Sequence, residues 1–168
     1  VVCRPIEPVG RDVGYLPGLL SEKMDPWTAP IKDNLKYLLS SADNGDVYSK
    51  KNKMESEATL DQFIDRGIIE IQAITFIRGR SISNAYIILD EAQNTSAHEL
   101  KTIITRVGEG TKIVLVGDVE QVDNIRVDSM SNGLTVVVEK FRDSDITSHI
   151  SLLKGERSEL ASLAASIL

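Results

Sequence analysis

The chain is short of the residues that build several common kinds of site. Cys3 is its single cysteine, which excludes an internal disulfide and a cysteine-rich zinc site and makes a reducing cytoplasm the simplest setting. The two histidines, His98 and His149, stand far apart, against a histidine-built metal centre. Trp27, the single tryptophan, reads as a core or interface anchor rather than a base-stacking platform. No apolar run reaches the length of a membrane span, and no charged-then-apolar leader opens the sequence. Positive charge is in deficit, 19 Lys and Arg against 25 Asp and Glu. The net charge of −6 argues against coating nucleic acid by bulk electrostatics, but leaves room for a few arginines gripping phosphates in one groove. What is present, 168 residues at 42% hydrophobic and 26% charged, suits one soluble globular domain with a real core.

The most informative stretch is Tyr86-Ile87-Ile88-Leu89-Asp90-Glu91. An unbroken apolar run predicts a strand buried on both faces, as in a parallel sheet under helices. Such a strand delivers the residues after it to the carboxyl edge of the sheet, where open α/β folds hold ligands. Two adjacent acids there suit a magnesium ion, which binds through one or two carboxylates plus substrate phosphates. Four apolar residues and Asp-Glu form the Walker B pattern of P-loop nucleotide hydrolases, with Asp90 on Mg²⁺, directly or through water, and Glu91 on the attacking water. The blander alternative is a strand ending in solvated acids, one of which caps the next helix.

A second run, Thr111-Lys112-Ile113-Val114-Leu115-Val116-Gly117-Asp118, predicts another buried strand ending in an acid, with Gln121 and Asp123 just beyond. Helicase-type ATPases use a glutamine so placed to sense the γ-phosphate, since an amide can donate to a phosphoryl oxygen and accept from water. Polar groups converging from two strand ends make one nucleotide crevice the favoured reading.

Elsewhere the pattern is coarser. Val1-Val2-Cys3 reads as the tail of a strand that Arg4-Pro5 ends, and a first residue other than Met suggests a portion of a longer protein. Gly10–Gly18 is a turn-rich loop. Helical spacing from Leu19 to Ser40, interrupted by Pro26 and Pro30, predicts two helices or one bent one. Residues 41–57 read as a flexible insertion, whose Lys50, Lys51 and Lys53 could touch nucleic acid or simply be solvated. A short helix over Ala58–Arg66 stops at Gly67, and Ile68–Ile74 predicts a strand. Arg78 and Arg80 flank Gly79, placed to bind a nucleic-acid backbone or to pair with acids and hold the loop. Asn94-Thr95-Ser96 offers caps for a helix striped by Leu100, Ile103, Ile104 and Val107, and Arg106 lies at its last turn. Asn132–Phe141 predicts a helix, Ile146–Leu153 a final strand, and Glu159–Leu168 an amphipathic helix with Leu160, Leu163, Ala164 and Leu168 inward. Arg157, just before that helix, is an ion-pair residue at the helix start or a phosphate contact.

Taken together these segments resemble the PhoH-like ATPases, P-loop proteins related to superfamily-one helicases. The resemblance rests on Arg4-Pro5 with Gly14-Tyr15-Leu16-Pro17-Gly18, on Phe76-Ile77-Arg78-Gly79-Arg80 and on Ile88–Asn94. Thr105-Arg106, Gly117-Asp118 with Gln121 and Asp123, and Lys154-Gly155-Glu156-Arg157-Ser158 complete it. It is most similar to members that carry a PIN ribonuclease domain ahead of the ATPase. It implies a RecA-like parallel sheet flanked by helices, ATP and Mg²⁺ as cofactors, ring-like homo-oligomers, and RNA or single-stranded nucleic acid as partner. On the same basis Asp90 and Glu91 would be the magnesium and water-activating acids, Gln121 the γ-phosphate sensor with Asp118 beside the nucleotide, and Arg157 or Arg106 an arginine finger. One element is missing: no glycine is followed by Lys-Ser or Lys-Thr, so the Walker A loop G-x-x-x-x-G-K-[ST] is absent. In the family that loop precedes the segment matching Val1, which predicts a partial ATPase domain over 1–168.

Two further readings stand beside this one. The chain could be a non-catalytic oligomerisation or RNA-binding module that keeps the fold without gripping a nucleotide. It could also be a metal-dependent nuclease built from Asp90, Glu91 and Asp118.

Overall fold

A computed structural model of the chain describes residues 1–5, 20–41, 50–77, 79–152, 158–160, 163 and 167. The turn-rich loop around Gly14, the side chain of Trp27, the lysine side chains at 50, 51 and 53, Arg78 and Arg157 lie outside the described residues. By compactness the chain divides into Val1–Val137 and Val138–Leu168.

The first unit is built on four parallel strands. β1 (Val2–Arg4), β2 (Ile71–Ala73), β3 (Tyr86–Leu89) and β4 (Lys112–Leu115) lie in the order β2-β1-β3-β4. The register sets Cys3 beside Leu89 and Leu89 beside Leu115, so these strands stop level with one another. Cys3, Ile87 and Leu89 have no exposed surface, and each large aliphatic buried this way contributes about 1.5–3 kcal/mol. The expectation of a β3 buried on both faces is corrected: Ile88 is only half-buried and Tyr86 is 54% exposed. β4 is an outer strand on which no other described residue pairs at the far side, although Ile113-Val114-Leu115-Val116 has the continuous apolar run of an inner strand.

α1 (Leu20–Ser41) and α2 (Lys50–Asp65) pack against each other, and α1 also touches β1 and β2. The prolines do not divide α1, which runs as one helix through Pro26 and Pro30. Its packing therefore outweighs the two backbone hydrogen bonds that proline nitrogens cannot make. α2 begins at Lys50 rather than Ala58, so residues 50–57 of the supposed insertion are helical. It ends as predicted at Gly67, where φ of +67° allows the Gly67 and Ile68 amides to donate back to Ile64 and Phe63 carbonyls at 2.9 Å each.

The expected strand at 68–74 shrinks to Ile71–Ala73, because Ile74–Phe76 turns into a 3₁₀ helix. α3 (Ala97–Ile104) starts from Ser96, whose hydroxyl accepts from the Glu99 amide while the Glu99 carboxylate accepts from the Ser96 amide. This capping box contributes on the order of 1 kcal/mol and leaves neither Asp90 nor Glu91 as the helix cap. Leu100 and Ile103 bury its inner face. α4 (Gly133–Phe141) is a helix, as the spacing predicts, with the Asn132 Oδ1 accepting from the Thr135 amide at its start.

In the second unit the expected strand over 146–153 does not form among the described residues 146–152, and Ile146, Ile150 and Leu152 are exposed. Residues 159, 160, 163 and 167 are helical, but Leu160 and Leu163 are exposed rather than inward. Among the described residues no helix is long and apolar enough to cross a membrane.

Candidate functional site

Three strands finish at one sheet edge, and each hands over a polar group. β1 ends in Arg4, β3 is followed by Asp90 and Glu91, and β4 leads through Val116 and Gly117 to Asp118. Backbone pairing fixes this edge: the Asp90 amide donates to the Cys3 carbonyl at 2.9 Å, and the Val116 amide to the Leu89 carbonyl at 2.8 Å. Beyond the strands, the Ala92 amide donates to the Val116 carbonyl at 2.9 Å, joining the two loops.

Glu91 turns the chain there in the left-handed region, at φ 54° and ψ 40°. For a residue other than glycine this costs about 1 kcal/mol and persists only where the surroundings demand it. The demand comes from both carboxylate oxygens. Oε1 accepts from the Arg4 Nη2 at 2.8 Å, and Oε2 accepts from the Gln93 Nε2 at 2.6 Å. The Arg4 Nε lies 3.9 Å from the Asp90 Oδ2, so one guanidinium stands beside both acids. These side chains are 25 to 36% exposed, so water screens the pairs in part while the carboxylates stay open to a ligand.

The loop after β4 is folded on Asp118. Its carboxylate accepts from the Glu120 amide at 3.0 Å and from the Gln121 side-chain amide at 2.5 Å, and the Gln121 main-chain amide donates to its carbonyl. Asn94 ties down the next residues: its Oδ1 accepts from the Asp123 and Asn124 amides at 2.7 and 3.2 Å. Asp90, Glu91, Asp118 and Gln121 are thus brought to one edge. Among the described residues, no three His, Cys, Asp or Glu side chains gather closely enough to hold a metal. The nuclease trio of Asp90, Glu91 and Asp118 is therefore not formed. The donor set fits a hard cation that takes one carboxylate and completes its shell with water and phosphate oxygens, and Asp90 would supply that carboxylate.

The other predicted residues stand apart. α3 carries the chain back to the amino edge of the sheet, where the Ile82 amide donates to the Arg106 carbonyl and the Asn84 amide to that of Glu109. Arg106 thus lies level with Ile82, before β3 begins, and more than the length of β3, about 13 Å, stands between it and Asp90. Its Nε is buried without a hydrogen-bond partner among the described residues. Arg80 pairs with Glu70 at 3.1 Å and donates to the Gln72 Oε1 at 3.2 Å, which is the loop-holding alternative.

Sequence reasoning overlooks two participants. Arg4 is read as the end of a strand and, with Pro5, as part of the resemblance, without a place at the site; the apolar Val-Val-Cys before it is the signal that it reaches the same edge as Asp90. Gln93 lies in the Ile88–Asn94 segment that carries the resemblance, but the pattern gives it no role of its own. Cys3, next to Arg4, is a packing residue: burial pushes its thiol up to about 12, and the Sγ points to the Ile88 carbonyl at 3.4 Å.

A family model described as PhoH-like protein matches residues 1–166. The chain belongs to the PhoH-like family. Membership fixes the domain type as a P-loop NTPase, in keeping with the parallel sheet and its flanking helices. Among curated relatives, Protein PhoH2 of Bacillus subtilis is 52% identical over 168 residues, spanning 100% of this chain and 35% of the relative. Protein PhoH2 of Mycolicibacterium smegmatis is 38% identical over 169 residues, again 100% of the chain and 35% of the relative. A PhoH-like protein of Bacillus subtilis is 37% identical over 152 residues, 90% of the chain and 42% of the relative. The chain thus spans about a third of the length of the PhoH2 proteins it matches.

Proposed function

We propose that this chain forms the water-activating and phosphate-sensing part of an ATP-hydrolysing domain that works on RNA or single-stranded nucleic acid within a longer protein. The observation that carries this reading is the single clasp of loops at the carboxyl edge, where Glu91, Asp90 and the Asp118–Gln121 loop meet. Mg²⁺ held by Asp90 would offset charge on the phosphoryl oxygens. Glu91, fixed by Arg4 and Gln93, keeps a lone pair on each oxygen with which to orient the attacking water and accept its proton. The Gln121 amide, resting on Asp118, is exposed and can exchange that acceptor for a γ-phosphoryl oxygen.

The sequence holds no Walker A loop, so the β- and γ-phosphates would be gripped by a segment outside these residues. Arg106 stands at the opposite edge, and a homo-oligomeric ring would use it as an arginine finger on a neighbouring copy's triphosphate. Arg157 is the other candidate for that role.

The test is Mg·ATP turnover by the intact protein carrying Glu91→Gln. The amide keeps an acceptor for Arg4 or Gln93 but cannot take a proton, so turnover falls by about a hundredfold or more while Mg·ADP still binds. Undiminished turnover would contradict the role given to Glu91.

A further inference from the structure

Gln93 has no exposed surface, and a buried amide is costly unless its hydrogen-bonding capacity is used. Here it is used across two loops. The Nε2 donates to the Glu91 Oε2 at 2.6 Å and to the Gln121 main-chain carbonyl at 3.0 Å, and the Oε1 accepts from the Asp118 amide at 3.2 Å. The orientation of the amide is set by its partners: reversed, it would set its oxygen against a carboxylate and a carbonyl, and its NH₂ against an N–H.

The sequence makes room for this side chain. A Cβ on Gly117 would lie 2.3 Å from the Gln93 Oε1 and 3.2 Å from its backbone nitrogen. The 3₁₀ turn Ala92–Asn94 that carries Gln93 is closed by the Asn94 amide donating to the Glu91 carbonyl and the Thr95 amide to that of Ala92. The side chain therefore projects from a fixed base.

We infer that Gln93 is a positioning residue that couples the Glu91 carboxylate to the Asp118–Gln121 loop. When Gln121 exchanges Asp118 for a phosphoryl oxygen, its main chain shifts, and the one amide bonded to both Gln121 and Glu91 passes that shift to the carboxylate. The carboxylate, already bonded to Gln93, then changes its position with the presence of the third phosphate. This rests on the nucleotide reading of the site and adds to it a link between sensing and water activation.

The experiment compares four forms of the intact protein: parent, Gln93→Met, Glu91→Gln and the double variant, in single-turnover assays with Mg·ATP and equilibrium binding of Mg·ADP. Methionine fills the glutamine volume without its hydrogen bonds. Gln93→Met is expected to slow the chemical step by about tenfold or more while leaving Mg·ADP affinity within about threefold of parent. Added to Glu91→Gln it should change the residual rate by less than about threefold, because Gln93 acts through Glu91.

Parental rates in Gln93→Met, or losses that multiply in the double variant, overturn the coupling. If Glu91→Gln itself turns over like the parent, the nucleotide reading falls and the coupling with it. A slow Glu91→Gln beside a parental Gln93→Met removes only the coupling. Should Gln93→Met lose Mg·ADP binding through misfolding, Gln93→Glu serves. It keeps an acceptor for Asp118 but sets a carboxylate against Glu91, and is expected to bind Mg·ADP without turning over; parental turnover there overturns the proposal.

Discussion

Glu91 holds a left-handed backbone that its side chain does not favour, and its two carboxylate bonds explain why it stays there. Strain, an ion pair and a buried amide converge on one acid, the kind of local expense that accompanies function. Cys3, a few bonds away, is the opposite case. Its thiol is raised from the ordinary 9.0 to about 12 by burial, against the lowering pull of the nearby amino-terminal charge, so the folded state holds its proton where the unfolded chain gives it up. Between about pH 9 and 12 the unfolded state binds fewer protons, and Cys3 withdraws about 1.4 kcal/mol of stability per pH unit. Chemical denaturation at several alkaline pH values should show that decline in the parent and a shallower one in Cys3→Ala, whose other titrating groups are shared. Equal slopes would mean that the thiol is not buried as described. At this scale Asp90, Glu91 and Gln121 were legible, because each follows an apolar strand and parallel strands deliver such residues to one edge. Arg4 and Gln93 were not, since what they touch depends on register and loop packing that no local pattern encodes.

Among elements, the junction between α3 and α4 gives a sharp test of sterics against propensity. Gly133 opens α4, where alanine would ordinarily be the better helix former. A Cβ there would lie 2.6 Å from the Thr95 Oγ1 and 2.9 and 3.0 Å from the Ser96 and Thr95 carbonyl oxygens. Backbone cannot swing aside as a side chain can, so the clash outweighs the gain. Gly133→Ala is expected to lower stability by about 1–3 kcal/mol in urea denaturation. A stabilised variant would show that the two segments are not in such close approach.

Helices α3 and α4 were readable from caps and spacing. α1 was not, because tertiary packing carries a helix across prolines that would break it in isolation. The run at 146–152 has β-branched residues but forms no strand among the described residues. Strand propensity, which measures fit to a pleated half-buried surface, misleads in such a place.

At the scale of the molecule, a PhoH-like chain whose β4 is the outer strand among the described residues, and whose sequence holds no Walker A loop, spans about a third of its PhoH2 relatives. The fold class, and the gathering of Arg4, Asp90, Glu91 and Asp118 at one edge, follow from a parallel sheet that imposes one direction on every strand end.

The most direct measurement is equilibrium binding of Mg·ATP and Mg·ADP to the intact protein in the Glu91→Gln background, with and without Gln121→Ala. If the acid pair and the Gln121 loop share one triphosphate, the first form prefers ATP by about tenfold or more, about 1.4 kcal/mol. The added substitution should reduce that preference to within about threefold while ADP affinity holds. An ATP preference that is the same with and without Gln121 would contradict the shared site.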